Sequence, residues 1–164
     1  MATPGKTAQL QIRVSTAQKR QIQSLARSAG LDMSSFVLAQ VLPDSRALFL
    51  RCVANLNGES GRFALAEIND LLTPMTGAEL LKVTGSRPSA RLDPYMENYL
   101  CALIETAAHR AGVIPPSWVK AVPPLPAPVF GTPLESLRLH LLTHSPPAFR
   151  RRNIFIDATL GARV

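Results

Sequence analysis

Residues 8–16, A-Q-L-Q-I-R-V-S-T, constrain the fold of this chain more than any other stretch. Leu10, Ile12 and Val14 alternate with the polar Gln9, Gln11 and Arg13. That period of two marks a strand with one apolar and one polar face. Immediately afterwards the period becomes that of a helix. No turn and second alternating run follow, so the strand has no hairpin partner in its own chain. An isolated strand leaves a row of backbone N–H and C=O groups unpaired. A homodimer resolves this: each copy supplies one strand, antiparallel across a two-fold axis. Leu10, Ile12 and Val14 then face the helices of both copies, and Gln9, Gln11 and Arg13 project outward together.

The following residues fit that scheme. Ser15 and Gln18 form an S-x-x-Q capping box, so a helix is expected from Thr16. Ile22, Leu25, Ala26 and Ala29 share one face, and Gly30 ends the helix. Asp32 caps a second helix with apolar Met33, Phe36, Val37 and Val41, and Pro43 stops it. Residues 1–43 therefore read as strand, helix, turn, helix. A two-stranded ribbon fits the major groove of DNA, where Gln pairs with adenine and Arg with guanine. Gln9, Gln11 and Arg13 are the expected base readers, and Lys6 reaches a phosphate. Ser34 and Ser35, at the start of the second helix, offer donors to a flanking phosphate.

In this segment the sequence L-Q-I-R-V-S-T-A-Q-K-R-Q-I-Q-S-L-A-R-S-A-G-L-D-M-S-S-F-V resembles a ribbon-helix-helix domain. It is most similar to the antitoxins of that fold encoded beside acetyltransferase toxins. The shared features are an L-x-I-R-V strand, an A-G-L turn, and Ser35-Phe36-Val37 where the family has S-E-F-[VIL]. The acidic residue of that segment is absent here. The resemblance implies an operator-binding dimer that also neutralises a co-encoded toxin. It ends near residue 43, and the 120 residues beyond exceed the short tail usual in such antitoxins.

Beyond Asp44 the pattern is mainly helical. Helices are expected in D-S-R-A-L-F-L-R-C-V-A-N-L, in F-A-L-A-E-I-N-D-L-L and, beyond Pro74, in G-A-E-L-L-K-V. The longest starts at Pro94, is capped by Asp93, carries the stripe Met96, Tyr99, Leu100, Leu103, Ala107, and closes at Gly112. Residues 113–133 hold seven of the fourteen prolines and read as an extended, polyproline-like connector, too apolar to stay solvated. A helix, L-E-S-L-R-L-H-L-L-T-H, the basic Arg150–Arg152 and a short strand I-F-I follow. The expected fold class is mainly α: a ribbon-helix-helix domain (1–43), a helical domain (44–112), and a proline-rich extension with a helix and basic tail (113–164).

The chemistry-bearing residues point to binding. His140 and His144 are spaced i, i+4, but the Glu of an H-E-x-x-H site and a third ligand are missing, so no metal and no cofactor are expected. There is no Gly-rich phosphate loop, G-x-S-x-G or C-x-x-C, and an enzyme is not expected. Cys52 and Cys101 read as buried small hydrophobes in a reducing cytoplasm. No apolar run is long enough for a membrane span, and the start of the chain lacks a secretory h-region.

The net charge of +7 sits at the two ends: +4 in residues 1–46, zero in 47–130 and +3 in 131–164. A basic DNA-binding end, a neutral middle and a basic tail for a partner explain this map. Trp118, Phe130 and Phe149, with Arg150, Arg151 and Arg152, are the expected partner surface. They lie in or beside proline segments that have little entropy left to lose. The expectation is thus an antitoxin and autorepressor whose C-terminal part, beyond about residue 112, holds an acetyltransferase-like or nucleotidyltransferase-like toxin. The alternatives are a stand-alone ribbon-helix-helix regulator or plasmid-mobilisation accessory protein, and a helical adaptor without a DNA role.

Overall fold

A computed structural model describes residues 11–41, 44–58 and 61–157. The chain forms two compact units, Met1–Asp44 and Ser45–Val164, and is mainly helical.

In the first unit, α1 spans Thr16–Ser28 and α2 spans Met33–Val41. The capping box forms as the sequence predicts. Ser15 Oγ accepts from the Gln18 N–H at 3.3 Å, and Gln18 Oε1 accepts from the Ser15 N–H at 2.9 Å. Gly30 adopts φ +67° after α1. The Leu31 N–H donates to Ala26 O at 3.0 Å and the Gly30 N–H to Arg27 O at 3.1 Å, the closure that a left-handed glycine permits. The Asp32 carboxylate accepts from the Ser35 N–H at 3.0 Å and so caps α2. Pro43, the expected stop, lies outside the described residues.

The second unit opens with α3 (Ser45–Ala54), α4 (Gly61–Leu72), α5 (Gly77–Thr84) and α6 (Pro94–Arg110). Asp93 Oδ1 accepts from the N–H groups of Tyr95 at 2.9 Å and Met96 at 3.0 Å, and Pro94 sits in the first turn, where no N–H is needed. Gly112, at φ +67°, closes α6 as Gly30 closes α1. The expected stripe on α6 is too narrow. Cys101, Ala102, Ile104 and Ala108 are buried along with Leu100, Leu103 and Ala107. A helix buried on nearly every side is a central element, not an amphipathic surface one. Helices α4 and α5 pack on α6, and α3 packs on α4 and α5.

The rest of α6 is covered by the C-terminal segment, which corrects two expectations. Residues 113–133 are not uniformly extended: they contain α7 (Ser117–Ala121) and β1 (Val129–Phe130). Nor are residues 113–164 a separate extension. Val119, Val122, Leu125, Phe149, Ile154 and Ile156 enter the same core as Leu100 and Ile104. The helix expected over 134–144 is divided into a 3-10 turn, Glu135–Leu137, and α8, Arg138–His144. The chain then runs through α9 (Pro147–Arg150) to β2 (Ile154–Phe155). β2 pairs parallel with β1, Val129 opposite Ile154 and Phe130 opposite Phe155. Asn153, at φ 58°, turns the chain into β2, and asparagine tolerates that left-handed conformation. No helix among the described residues is long and apolar enough to cross a membrane.

Candidate nucleic-acid interface

The expected base readers Gln11 and Arg13 stand in the stretch that leads into α1, and both are exposed. Residues 11–15 have no strand partner among the described residues. Lys6 and Gln9, with Leu10, lie outside the described residues. Ser35 and Ser34 differ. The Asp32 carboxylate takes both the N–H and the hydroxyl proton of Ser35, so Ser35 has no donor left for a phosphate. Ser34 is exposed beside it. Lys19, Arg20 and Arg27 are exposed on α1 and add positive charge to this unit.

Most apolar residues of this unit are exposed, and Ile22, Phe36 and Val37 are half-buried. Ala26 is its only buried residue among those described. Ile12 is 60 % exposed, Val14 44 %, Leu25 47 % and Val41 69 %. Leu31, Met33 and Leu38 are exposed as well. Two short helices and an extended arm bury too little apolar surface to offset the entropy of ordering them.

The residues expected to meet a partner protein are largely used inside the second unit. Phe149 is 3 % exposed and packs edge-on against Tyr99, ring centroids 4.9 Å apart. Trp118 is half-buried, and its indole N–H donates to Thr84 O at 2.8 Å. Phe130 stacks on Phe155 across the strand pair at 5.1 Å, with the Arg138 guanidinium 5.4 Å over its ring. The three consecutive arginines divide. Arg150 and Arg151 are exposed, while Arg152 is 5 % exposed. Arg152 donates to Asn98 Oδ1 at 3.1 Å, Glu105 Oε1 at 2.6 Å and Val119 O at 2.8 Å. Phe149 and Arg152 therefore have no side-chain surface to give a partner. The first is a core residue, and the second ties α6 to α7.

Asn98 and Glu105 were not singled out from the sequence. They stand seven residues apart, two turns along one face of α6, among residues that are otherwise apolar or small. That placement is the signal of a buried polar network. His140 and His144 stack ring on ring at 4.0 Å, and no group of three or more potential metal ligands occurs among the described residues. Burial pushes the Cys101 thiol up to about 11 and raises that of Cys52, where the Glu67 carboxylate 3.4 Å away adds to the effect. Neither thiol is poised as a nucleophile.

No protein-family model, curated protein or solved structure matches this chain.

Proposed function

We propose that the chain is a dimeric DNA-binding regulator of the ribbon-helix-helix kind. The observation that carries this reading is the uncovered first unit. Its capped helix, glycine turn and second helix are in place, yet Ile12, Val14 and Leu25 are exposed. A second copy supplies both what the extended arm lacks, a strand to pair with, and what the helices lack, a shared core. The same pairing aligns Gln11 and Arg13 of both copies on one outer face, where a two-stranded ribbon enters the major groove.

Ile12→Asp places a charge in the shared core and is expected to yield a monomer in sedimentation and light scattering. Arg13→Ala is expected to leave the dimer intact. It weakens a duplex selected from a random library by about 1–3 kcal/mol per half-site and relaxes preference at one position. An Ile12→Asp protein that remains dimeric and binds DNA as before overturns the reading.

In its fuller form the proposal is an antitoxin, in which the second unit also holds a co-encoded toxin. Four exposed leucines at the 3-10 turn and α8 favour it: Leu134, Leu137, Leu139 and Leu142. Arg150 and Arg151 are exposed in the segment that follows, and exposed apolar residues with basic neighbours suit a partner protein. Co-expression with the product of the adjacent reading frame, followed by co-purification, tests this role separately from DNA binding.

A further inference from the structure

The second unit contains a cavity of about 570 Å³ at the C-terminal end of α6, bounded by the 113–115 loop, α7 and the Arg151–Arg152 corner. Its volume falls within the range of small-molecule sites, roughly 300–1,000 Å³. The lining has two chemically distinct parts. One is apolar: Val113, Ile114, Pro115, Val122 and Pro124, with Ile114 75 % exposed toward solvent. The other is ionic: Lys120, Arg151 and Arg152 against the single carboxylate of Glu105, with His109 beside them. Counting the histidine as neutral, three cations against one anion leave the lining at a formal +2.

The ionic side is prearranged. Arg152 is held by Asn98, Glu105 and Val119, so its charge is fixed in the wall before any ligand arrives. Glu105 is neutralised by Arg152 at 2.6 Å and approached by Arg151 at 3.6 Å, so an incoming anion does not meet a bare carboxylate. Lys120 is exposed and has no ion pair among the described residues. The cationic donors available to a ligand are therefore Lys120 and the outer face of Arg151. A phosphodiester backbone needs a run of such donors and gains nothing from a wall of valine, isoleucine and proline. A neutral apolar molecule leaves the cations unused.

We propose that this cavity binds a small amphiphilic acid, its carboxylate between Lys120 and Arg151 and its apolar body along Ile114, Pro115 and Pro124. The site stands independently of the DNA reading, because every group in it belongs to the second unit. Octanoate is the probe, titrated calorimetrically into the full chain, with 1-octanol and acetate as its neutral and apolar-free counterparts. Saturable one-to-one binding of octanoate is expected, with both counterparts at least about tenfold weaker. The double variant Lys120→Ala, Arg151→Ala removes two exposed side chains. It is expected to keep the thermal midpoint within a few degrees and to lose octanoate affinity about tenfold or more. Ile114→Asp, also at an exposed position, is expected to do the same from the apolar side. Equal binding of octanol or acetate, unchanged affinity in both variants, or no saturable octanoate binding at millimolar concentration overturns the proposal.

Discussion

Arg152 concentrates much of the second unit's specificity in one side chain. Its guanidinium reaches α6 through Asn98 and Glu105 and α7 through the Val119 carbonyl, with 5 % of the residue exposed. Without Arg152 the Glu105 carboxylate keeps only the exposed Arg151, 3.6 Å away, and Asn98 and the Val119 carbonyl lose their buried donor; breaking a buried pair in this way costs about 3 kcal/mol. Arg152→Ala is therefore expected to lower the thermal midpoint by about 10 °C or more, read by circular dichroism. Arg152→Met combined with Glu105→Leu removes both charges and is expected to recover most of that loss. A second residue-scale effect appears in alkali. Burial pushes the Tyr99 phenol up to about 12 from 10.0, and the Cys101 thiol up to about 11 from 9.0. Both groups stay protonated in the folded chain at pH values where the unfolded chain ionises. Their contribution is complete below about pH 9 and is lost as pH rises toward 11 and 12. Urea melts at pH 8 to 11 are expected to show falling midpoints. Substitution by Cys101→Ala and Tyr99→Phe is expected to flatten that fall.

At the scale of single elements, the starts of α1, α2, α5 and α6 are set by short-range hydrogen bonds from the residue just before each helix. In α5, Thr76 Oγ1 accepts from the Glu79 N–H at 3.4 Å, and the Glu79 carboxylate accepts from the Thr76 N–H at 2.9 Å. The same carboxylate takes the Thr76 hydroxyl proton at 2.8 Å. These bonds, the backbone one foremost, hold the Glu79 carboxyl below its usual range. A lowered carboxylate contributes stability above its unfolded value and loses it as pH falls. Thr76→Ala is expected to cost about 1 kcal/mol at neutral pH, and the difference from wild type is expected to narrow in acid. Denaturant midpoints at pH 7 and pH 3 measure it. Element ends behave alike: Gly30 and Gly112 both take φ +67°, where an added side chain is strained.

For the whole molecule, the consequential boundary is the one between Asp44 and Ser45. A cut near residue 112, which the sequence suggests as the end of the helical domain, strips Val119, Val122, Leu125, Phe149, Ile154 and Ile156 from the core. Each such side chain is worth about 1.5–3 kcal/mol when fully buried, so a unit with about 5–15 kcal/mol of stability does not survive the loss of six. Residues 45–157 are expected to fold alone with a cooperative melt, and residues 45–112 to give no cooperative transition. A cooperative melt of the shorter chain shows that the C-terminal segment is an accessory layer after all.

The starts and stops of α1 and α6 were legible in the sequence because they depend on neighbours within four residues. The caps at Ser15 and Asp93 and the terminal glycines 30 and 112 carry their own geometry. So was the mainly helical class, which follows from apolar period. What the sequence left open was which faces are covered from afar. The α6 stripe misses Ile104 and Ala108, on the flanks of its apolar face, because the segments that cover those flanks come from far along the chain. Of the three adjacent arginines, composition cannot single out the one that turns inward. That depends on Asn98 and Glu105, fifty-four and forty-seven residues away. The same distance accounts for the cavity beside Lys120, whose walls come from α6, α7 and the Arg151–Arg152 corner. Local hydrogen bonds and period are properties of a segment, and the sequence by itself determined them here. Burial, ion pairing and cavities are properties of pairs of distant segments, and only the tertiary structure decided them.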